Sequence, residues 1–162
     1  MARAGFYAIE SGRISFRRDG NWYSDDERID NPRIAMLFSR SIRQDADGGW
    51  YLQVAEERAP ITIEDTAYVV RTIEPDPYGL SVILNDGERE PLDPATLEVG
   101  AENVLYCRVK DGRFRARFLR PAYYHLSRSF EAEGDRFFIR IGDRRYPLRT
   151  VPSEETPLER RS

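Results

Sequence analysis

One series of short motifs occurs twice in this sequence, and the repeat limits the possible folds more than any other feature. Each copy has an Asp-Gly turn, a proline at the start of an apolar stripe, a Ser-Arg-Ser triplet and a late proline. The first copy passes through Asp19-Gly20, Asn31-Pro32, Ser39-Arg40-Ser41 and Pro60, and the second through Asp111-Gly112, Arg120-Pro121, Ser127-Arg128-Ser129 and Pro147. Two like units must share an interface, and ligand sites favour such interfaces.

Turn signals predict that each copy folds as a hairpin, a helix and a second hairpin. Asn31 and Pro32 are typical of a helix start. An apolar stripe at helical spacing follows, made of Ile34, Leu37, Phe38 and Ile42. The second helix is predicted to begin near Pro121, with a comparable stripe that reaches Phe130. Many hairpins with few helices predict an α+β class that is β-rich, mostly antiparallel and built from duplicated hairpin-helix-hairpin units.

The 162 residues are predicted to form two lobes that share buried surface, because 40% of them are hydrophobic but half a chain would be marginal alone. We expect an N-terminal β-rich lobe with one helix at residues 1–75. A C-terminal β-rich lobe with one helix is expected at 76–151. Residues 152–162 have the composition of a flexible tail.

Composition disfavours several classes of protein. No apolar run approaches the roughly 20 residues of a membrane span, and the first residues lack the apolar core of a secretory signal. A single cysteine, Cys107, excludes an intrachain disulfide and favours a cytoplasmic location. Cys107 and the lone His125 leave no zinc site, and we interpret both as packing residues rather than a nucleophile pair. Because the chain has no catalytic or nucleotide-loop signature, we expect no enzymatic activity, cofactor or metal.

Charge is distributed unevenly along the chain, whose net charge is −3. Residues 44–102 carry 14 acidic residues against 3 arginines, whereas residues 108–149 carry 12 basic residues against 5 acidic ones. One interpretation is an anionic partner for the basic segment. The other is that the acidic segment folds against the basic one and neutralises it.

Residues 105–118 show the sharpest local pattern. A two-residue turn at Asp111-Gly112 predicts that Arg108 faces Arg115 and that Tyr106 faces Arg117. Alternation then gives a ribbon with one apolar face and one face of basic residues. The apolar face holds Leu105, Cys107, Val109, Phe114, Ala116 and Phe118, and the basic face holds Tyr106, Arg108, Lys110, Arg113, Arg115 and Arg117.

Facing arginines repel each other, so something must offset them. In the last hairpin Arg140 is likewise predicted to face Arg145. Three explanations stay open: a site for phosphate or another anion, pairing with acidic residues such as Glu64, Asp65, Glu88 or Glu90, or a solvated charged face.

Four sequence runs resemble a bacterial family catalogued as domain of unknown function 1285. They are ERIDNPRIAMLFS at 27–39, DGGWYL at 47–52, ITIED at 61–65 and ARFLRPAYYHL at 116–126. The resemblance implies a duplicated β-rich core, a C-terminal half similar to pleckstrin-homology folds and no established enzymatic activity. It also implies a nucleotide-like ligand between the halves and a role in signal transduction.

Together these observations predict a non-enzymatic regulatory module that binds an anionic, nucleotide-like ligand where the lobes meet. Four arginines are predicted to contact the anion, and two tyrosines to stack on the ligand or hydrogen-bond to its edge. Two carboxylates are predicted to receive a sugar hydroxyl or to orient an arginine. These residues are Arg108, Arg115, Arg117 and Arg120, then Tyr123 and Tyr124, then Glu64 and Asp65. The alternative is a protein-interaction module that docks an acidic partner on the arginine-rich face. The net negative charge disfavours nucleic acid as a partner.

Overall fold

The computed structural model of the protein describes residues 13–151, which form a β-rich α+β fold. The two α-helices in that range are α1 (Pro32–Arg40) and α2 (Arg120–Ser127). Most strand pairs are antiparallel, so the predicted class is confirmed at this level. The tail predicted at 152–162 lies outside the described residues, as do residues 1–12 of the predicted first lobe.

The first sheet has six strands, three that precede α1 in the chain and three that follow it. In chain order they are β1 (Ile14–Phe16), β2 (Trp22–Ser24), β3 (Glu27–Arg28), β4 (Ile42–Gln44), β5 (Trp50–Val54) and β6 (Glu57–Ile63). The order across the sheet is β3-β2-β1-β6-β5-β4, with β1 and β6 parallel. Phe38 of α1 packs edge-on against Trp22, and Trp22 lies 4.8 Å from the ring centre of Phe16. This buried aromatic group fixes α1 on the sheet.

A second sheet of seven strands and a third of three complete the described fold. In chain order the strands are β7 (Tyr68–Asp76), β8 (Gly79–Leu84), β9 (Arg89–Pro91), β10 (Glu98–Val99), β11 (Leu105–Val109), β12 (Phe114–Phe118), β13 (Phe130–Glu133), β14 (Arg136–Ile141), β15 (Arg144–Pro147) and β16 (Arg149–Thr150). The second sheet has the order β16-β10-β11-β12-β7-β8-β9. Strands β13, β14 and β15 form the third sheet in that order.

Both helices begin where the sequence predicts and end earlier than their apolar stripes suggest. The Asn31 side chain accepts hydrogen bonds from the N–H groups of Arg33 and Ile34, which caps α1. The prediction that Ile42 continues this helix is wrong, because Ile42 begins β4. Phe130 likewise belongs to β13 and not to the stripe of α2. Both side chains still pack on the core. The apolar stripes therefore predicted correctly which side chains pack inward, although they did not predict where each helix ends.

The strands that follow the two helices pair in a comparable way. Tyr51 faces Pro60 between β5 and β6, and Phe138 faces Pro147 between β14 and β15. The two ribbons differ in their neighbours, however. Strand β6 continues the first sheet beside β1, whereas β15 has β14 as its only hydrogen-bonded strand within residues 13–151.

The two larger sheets share one cluster of buried apolar side chains. A buried polar connection also joins them, because the Asn85 amide at the end of β8 donates to the Ser39 hydroxyl of α1 at 3.1 Å. The division into lobes at residue 75 stays a prediction; β7, which runs from Tyr68 to Asp76, belongs to the second sheet. Across residues 13–151, no helix is long and apolar enough to cross a membrane.

Candidate functional site

The ribbon of β11 and β12 has the strand register that the sequence predicted. Tyr106 faces Arg117, and Arg108 faces Arg115. The turn lies at Asp111-Gly112 as predicted, since the Arg113 N–H donates to the Lys110 carbonyl at 3.2 Å, but Lys110 has a left-handed φ of 57°. The Lys110 ammonium therefore leaves the arginine row and binds the buried Asp86 carboxylate at 2.6 Å.

Arg117 is held by a carboxylate from the acidic segment. Its Nη1 atom lies 2.8 Å from Oδ2 of Asp65, and the Tyr106 hydroxyl donates to the same oxygen at 2.8 Å. Burial first, and then this hydrogen bond, raise the pKa of Tyr106 to about 12. The predicted alternative that Asp65 receives an arginine therefore matches the geometry.

Arg115 is also neutralised within the chain. Its Nε atom approaches Oε1 of Glu98 at 3.1 Å as an ion-pair contact without hydrogen-bond alignment. Its guanidinium lies over the Tyr106 ring, 3.8 Å from the ring centre. Arg149 of β16 pairs with the other oxygen of Glu98, so one carboxylate serves two cations.

The arginines of the last hairpin have partners on another strand of the same three-stranded sheet. Arg140 faces Arg145 as predicted. Arg140 pairs with Glu131, and Arg145 pairs with Glu133 at 2.7 Å. The partners come from β13 and not from the acidic segment, so the neutralisation is local.

A cleft of about 630 Å³ lies where the β1–β2 turn meets β12 and α2. Four of the predicted site residues line this cleft: Arg117, Arg120, Tyr123 and Tyr124. Arg120 is exposed and has no carboxylate partner within residues 13–151. The volume falls in the range of small-molecule sites.

The other four predicted residues do not line the cleft. Arg108 is exposed on β11, and Arg115 is engaged by Glu98. Glu64 accepts from the backbone N–H of Arg18 at 2.8 Å, and this bond lowers the pKa of Glu64. Asp65 is the counter-ion of Arg117.

Helix α2 begins at the cleft. Its N-cap residue, Leu119, provides no side-chain acceptor for the first-turn N–H groups. Leu119, Arg120 and Pro121 all line the cleft. A helix N-terminus carries partial positive charge, so this end of the cleft favours an anion in addition to its guanidinium groups.

Four polar side chains of the cleft were missed by sequence reasoning: Arg18, Asp19, Glu102 and Asn103. Asp19 lies in the first Asp-Gly turn of the repeat, so the sequence predicted a turn at this position but not that Asp19 lines the cleft. Burial acts to raise the pKa of Asp19, but hydrogen bonds from the Tyr23 hydroxyl and from Asn21 outweigh burial and lower that pKa. In the described part of the chain, no group of three or more His, Cys, Asp or Glu residues could hold a metal ion.

These elements define a β-rich α+β protein with a polar cleft between its two larger sheets. Residues 8–66 match the model of the domain of unknown function (DUF1285), N-terminal domain. This match to the N-terminal domain confirms the resemblance to the DUF1285 family that the sequence runs indicated.

Two solved structures are similar in fold. One is a DUF1285 family protein from Silicibacter pomeroyi DSS-3, with 24% identity, a TM-score of 0.62, and coverage of 87% of this chain and 82% of that chain. The other is a DUF1285 family protein from Shewanella baltica OS155, with 18% identity and a TM-score of 0.57. The match covers 75% of this chain and 95% of that chain. A search of curated proteins found no significant match.

Proposed function

We propose that the protein is a non-enzymatic, cytoplasmic binding module that takes an anionic, nucleotide-like ligand in the cleft at the start of α2. Arg120 is the anion contact, and Arg117 lines the same cleft. Tyr123 and Tyr124 provide stacking or edge hydrogen bonds to the rest of the ligand. A role in signal transduction is the part of this proposal that rests on the family resemblance alone.

The observation that carries the proposal is that Arg120 lacks a carboxylate partner among the described residues, whereas the other two arginines of the cleft, Arg18 and Arg117, pair with Glu64 and Asp65. Arg115, Arg117, Arg140 and Arg145 each have a carboxylate of the same chain. Arg120 has none within residues 13–151, and it stands at an uncapped helix start in a cleft lined by two tyrosines. An arginine fork in such a place suits a phosphate or carboxylate group.

The same contrast weakens the alternative of an acidic protein partner. Docking on the arginine-rich face would have to displace ion pairs that the chain already makes. Arg108 and Arg113 are the members of the ribbon face without a carboxylate partner among the described residues, and both are exposed. This second candidate is kept as an outcome of the test below.

A thermal-shift screen against nucleoside monophosphates and cyclic dinucleotides tests the proposal. A ligand at 100 times its Kd adds ~2.7 kcal/mol of stability. We expect Arg120→Ala to weaken binding at least about tenfold, because it removes the arginine fork, and Arg108→Ala, an exposed arginine outside the cleft, to leave binding unchanged. If no anion stabilises the protein, or if both variants bind equally weakly, the cleft is not the site. A co-purifying acidic protein would then favour the docking face.

Two finer features of the fold accompany this function as proposals. One is that the lobes arose by duplication, and the equivalent pairings Tyr51 with Pro60 and Phe138 with Pro147 support it. The other is the likeness of the C-terminal half to pleckstrin-homology folds, which rests on the family resemblance.

A further inference from the structure

The cleft that binds an anion in the proposed function also contains two acidic side chains. Asp19 and Glu102 line it together with Arg117 and Arg120. A cleft built only for a simple anion has no use for carboxylates, since they repel the ligand. Their presence therefore narrows the chemistry of the part of the ligand that lies beside them.

Glu102 and Asn103 are placed in the cleft by a tight loop between β10 and β11. Both residues have left-handed backbone conformations, with φ of 58° and 62°. The loop is closed by a hydrogen bond from the Gly100 N–H to the Val104 carbonyl at 2.7 Å. Residues other than glycine adopt this conformation uncommonly and at a cost.

Glu102 differs from the other carboxylates near the cleft in having free acceptor capacity. Both oxygens of Glu64 accept from Arg18, and both oxygens of Asp19 accept hydrogen bonds. Asp65 is the counter-ion of Arg117. Glu102 makes no hydrogen bond or ion pair with another side chain between residues 13 and 151, and it is exposed to the cleft.

The surroundings of Glu102 favour a neutral hydrogen-bond donor over a cation or a second anion. The pKa of Arg18 is raised chiefly by Glu64 and to a smaller extent by Glu102, so a guanidinium already lies near this carboxylate. Arg18, Arg117 and Arg120 would repel a ligand ammonium, while Glu102 would repel a second phosphate. A neutral hydroxyl group is repelled neither by the arginines nor by Glu102. The amide of Asn103, the next residue after Glu102, can donate to a hydroxyl oxygen.

We infer that Glu102 and Asn103 bind a vicinal diol, so that the ligand is a ribose phosphate or nucleoside monophosphate with free hydroxyl groups. The inference rests on the proposed function, because it describes the same cleft. It assigns the phosphate to Arg120 and the start of α2, and the sugar hydroxyls to the loop between β10 and β11. The role that the sequence suggested for Glu64 and Asp65 thus passes to Glu102.

Calorimetric titration with matched ligands tests the inference. The probes are the four ribonucleoside 5′-monophosphates, each compared with its 2′,3′-dideoxy counterpart. For the best-binding base we expect the dideoxy compound to bind about tenfold more weakly, because it loses hydrogen bonds to a carboxylate. Glu102→Ala and Glu102→Gln should both reduce this ratio severalfold. Glu56→Ala, an exposed carboxylate on the β5–β6 turn, should leave the ratio unchanged.

The possible outcomes separate the two proposals. Equal affinity for ribose and dideoxy compounds, with both weakened by Arg120→Ala, overturns the diol inference and leaves the proposed function standing. A ribose preference that survives both Glu102 variants also overturns the inference. If none of the eight compounds binds the unmodified protein, the diol inference fails, and the proposed function then depends on the cyclic dinucleotides of the thermal-shift screen.

Discussion

Removal of the Asn85 side chain is expected to lower the free energy of unfolding, because its hydrogen bonds connect the second sheet to α1, which packs on the first sheet. Asn85 is 2% exposed and makes three hydrogen bonds. Its carbonyl accepts from the Val69 N–H at 2.9 Å, and its amide donates to the Ser39 hydroxyl and the Ala67 carbonyl. The Trp22 indole donates to the same Ser39 hydroxyl, so the network spans β2, α1, β7 and β8.

The magnitude follows from the groups that Asn85→Ala leaves behind. Val69 and Ala67 are 1% and 3% exposed, so their backbone groups have no access to bulk water. A buried polar group without a partner costs about 1–3 kcal/mol. Two such groups, together with the weakened Ser39 contact, give an expected loss of about 3–5 kcal/mol. That is a large share of the roughly 5–15 kcal/mol that stabilises a domain.

Urea unfolding followed by tryptophan fluorescence measures this loss, because Trp22 is buried in the same network. We expect a lower midpoint with an unchanged m value. Asn31→Ala is the matched control, since it removes an exposed helix cap and should cost about 1 kcal/mol. If Asn85→Ala costs no more than Asn31→Ala, the network does not couple the sheets and the reasoning is refuted.

Two further predictions concern the surroundings of the cleft. A Cβ at Gly20 would lie 2.8 Å from Cδ1 of the cleft residue Leu119, whereas a Cβ at Gly48 meets nothing within 4 Å, and both glycines have left-handed φ. Gly20→Ala should therefore destabilise the protein by about 1–2 kcal/mol more than Gly48→Ala in urea unfolding, and equal losses would contradict the contact. The pKa of Tyr106 is raised to about 12 from an ordinary 10. The associated stability is present below pH 10 and is lost as the pH rises from 10 to 12, by about 3 kcal/mol at most. Tyr106→Phe should flatten the slope of stability in that window, and an unchanged slope would exclude Tyr106 as its source.

Local signals in the sequence were sufficient for the starts of elements but not for their ends. Asn31 and Pro32 predicted the first turn of α1 because capping depends on neighbouring residues alone. The end of α1 escaped prediction, since the apolar stripe continues to Ile42. A stripe reports which residues are buried, and the helix ends at Arg40, where the Ser41 hydroxyl binds the Leu37 carbonyl.

The candidate site was also predicted only in part, because the sequence marked neighbouring residues but not those that the fold brings in from elsewhere in the chain. Arg117, Arg120, Tyr123 and Tyr124 lie within eight residues of one another, so the pattern of the ribbon and the following helix marked them together. Arg18 and Glu102 are distant in sequence and join the cleft only through the sheet topology, in which β7 lies parallel to β12. The role of Lys110 was also hidden, because its left-handed backbone turns the side chain away from its predicted row.

The position of β16 has a consequence for how the chain acquires its shape during synthesis. Strand β16 lies at the edge of the second sheet beside β10, about fifty residues earlier in the chain, and Arg149 and Glu98 clamp the pair. The first sheet, in contrast, is closed by β6, which ends at Ile63. The ribosome can therefore release a complete first sheet early, while β10 waits as an open edge until residue 150 emerges. Because β10 is two residues long, this open edge offers little backbone for pairing with another chain during that interval.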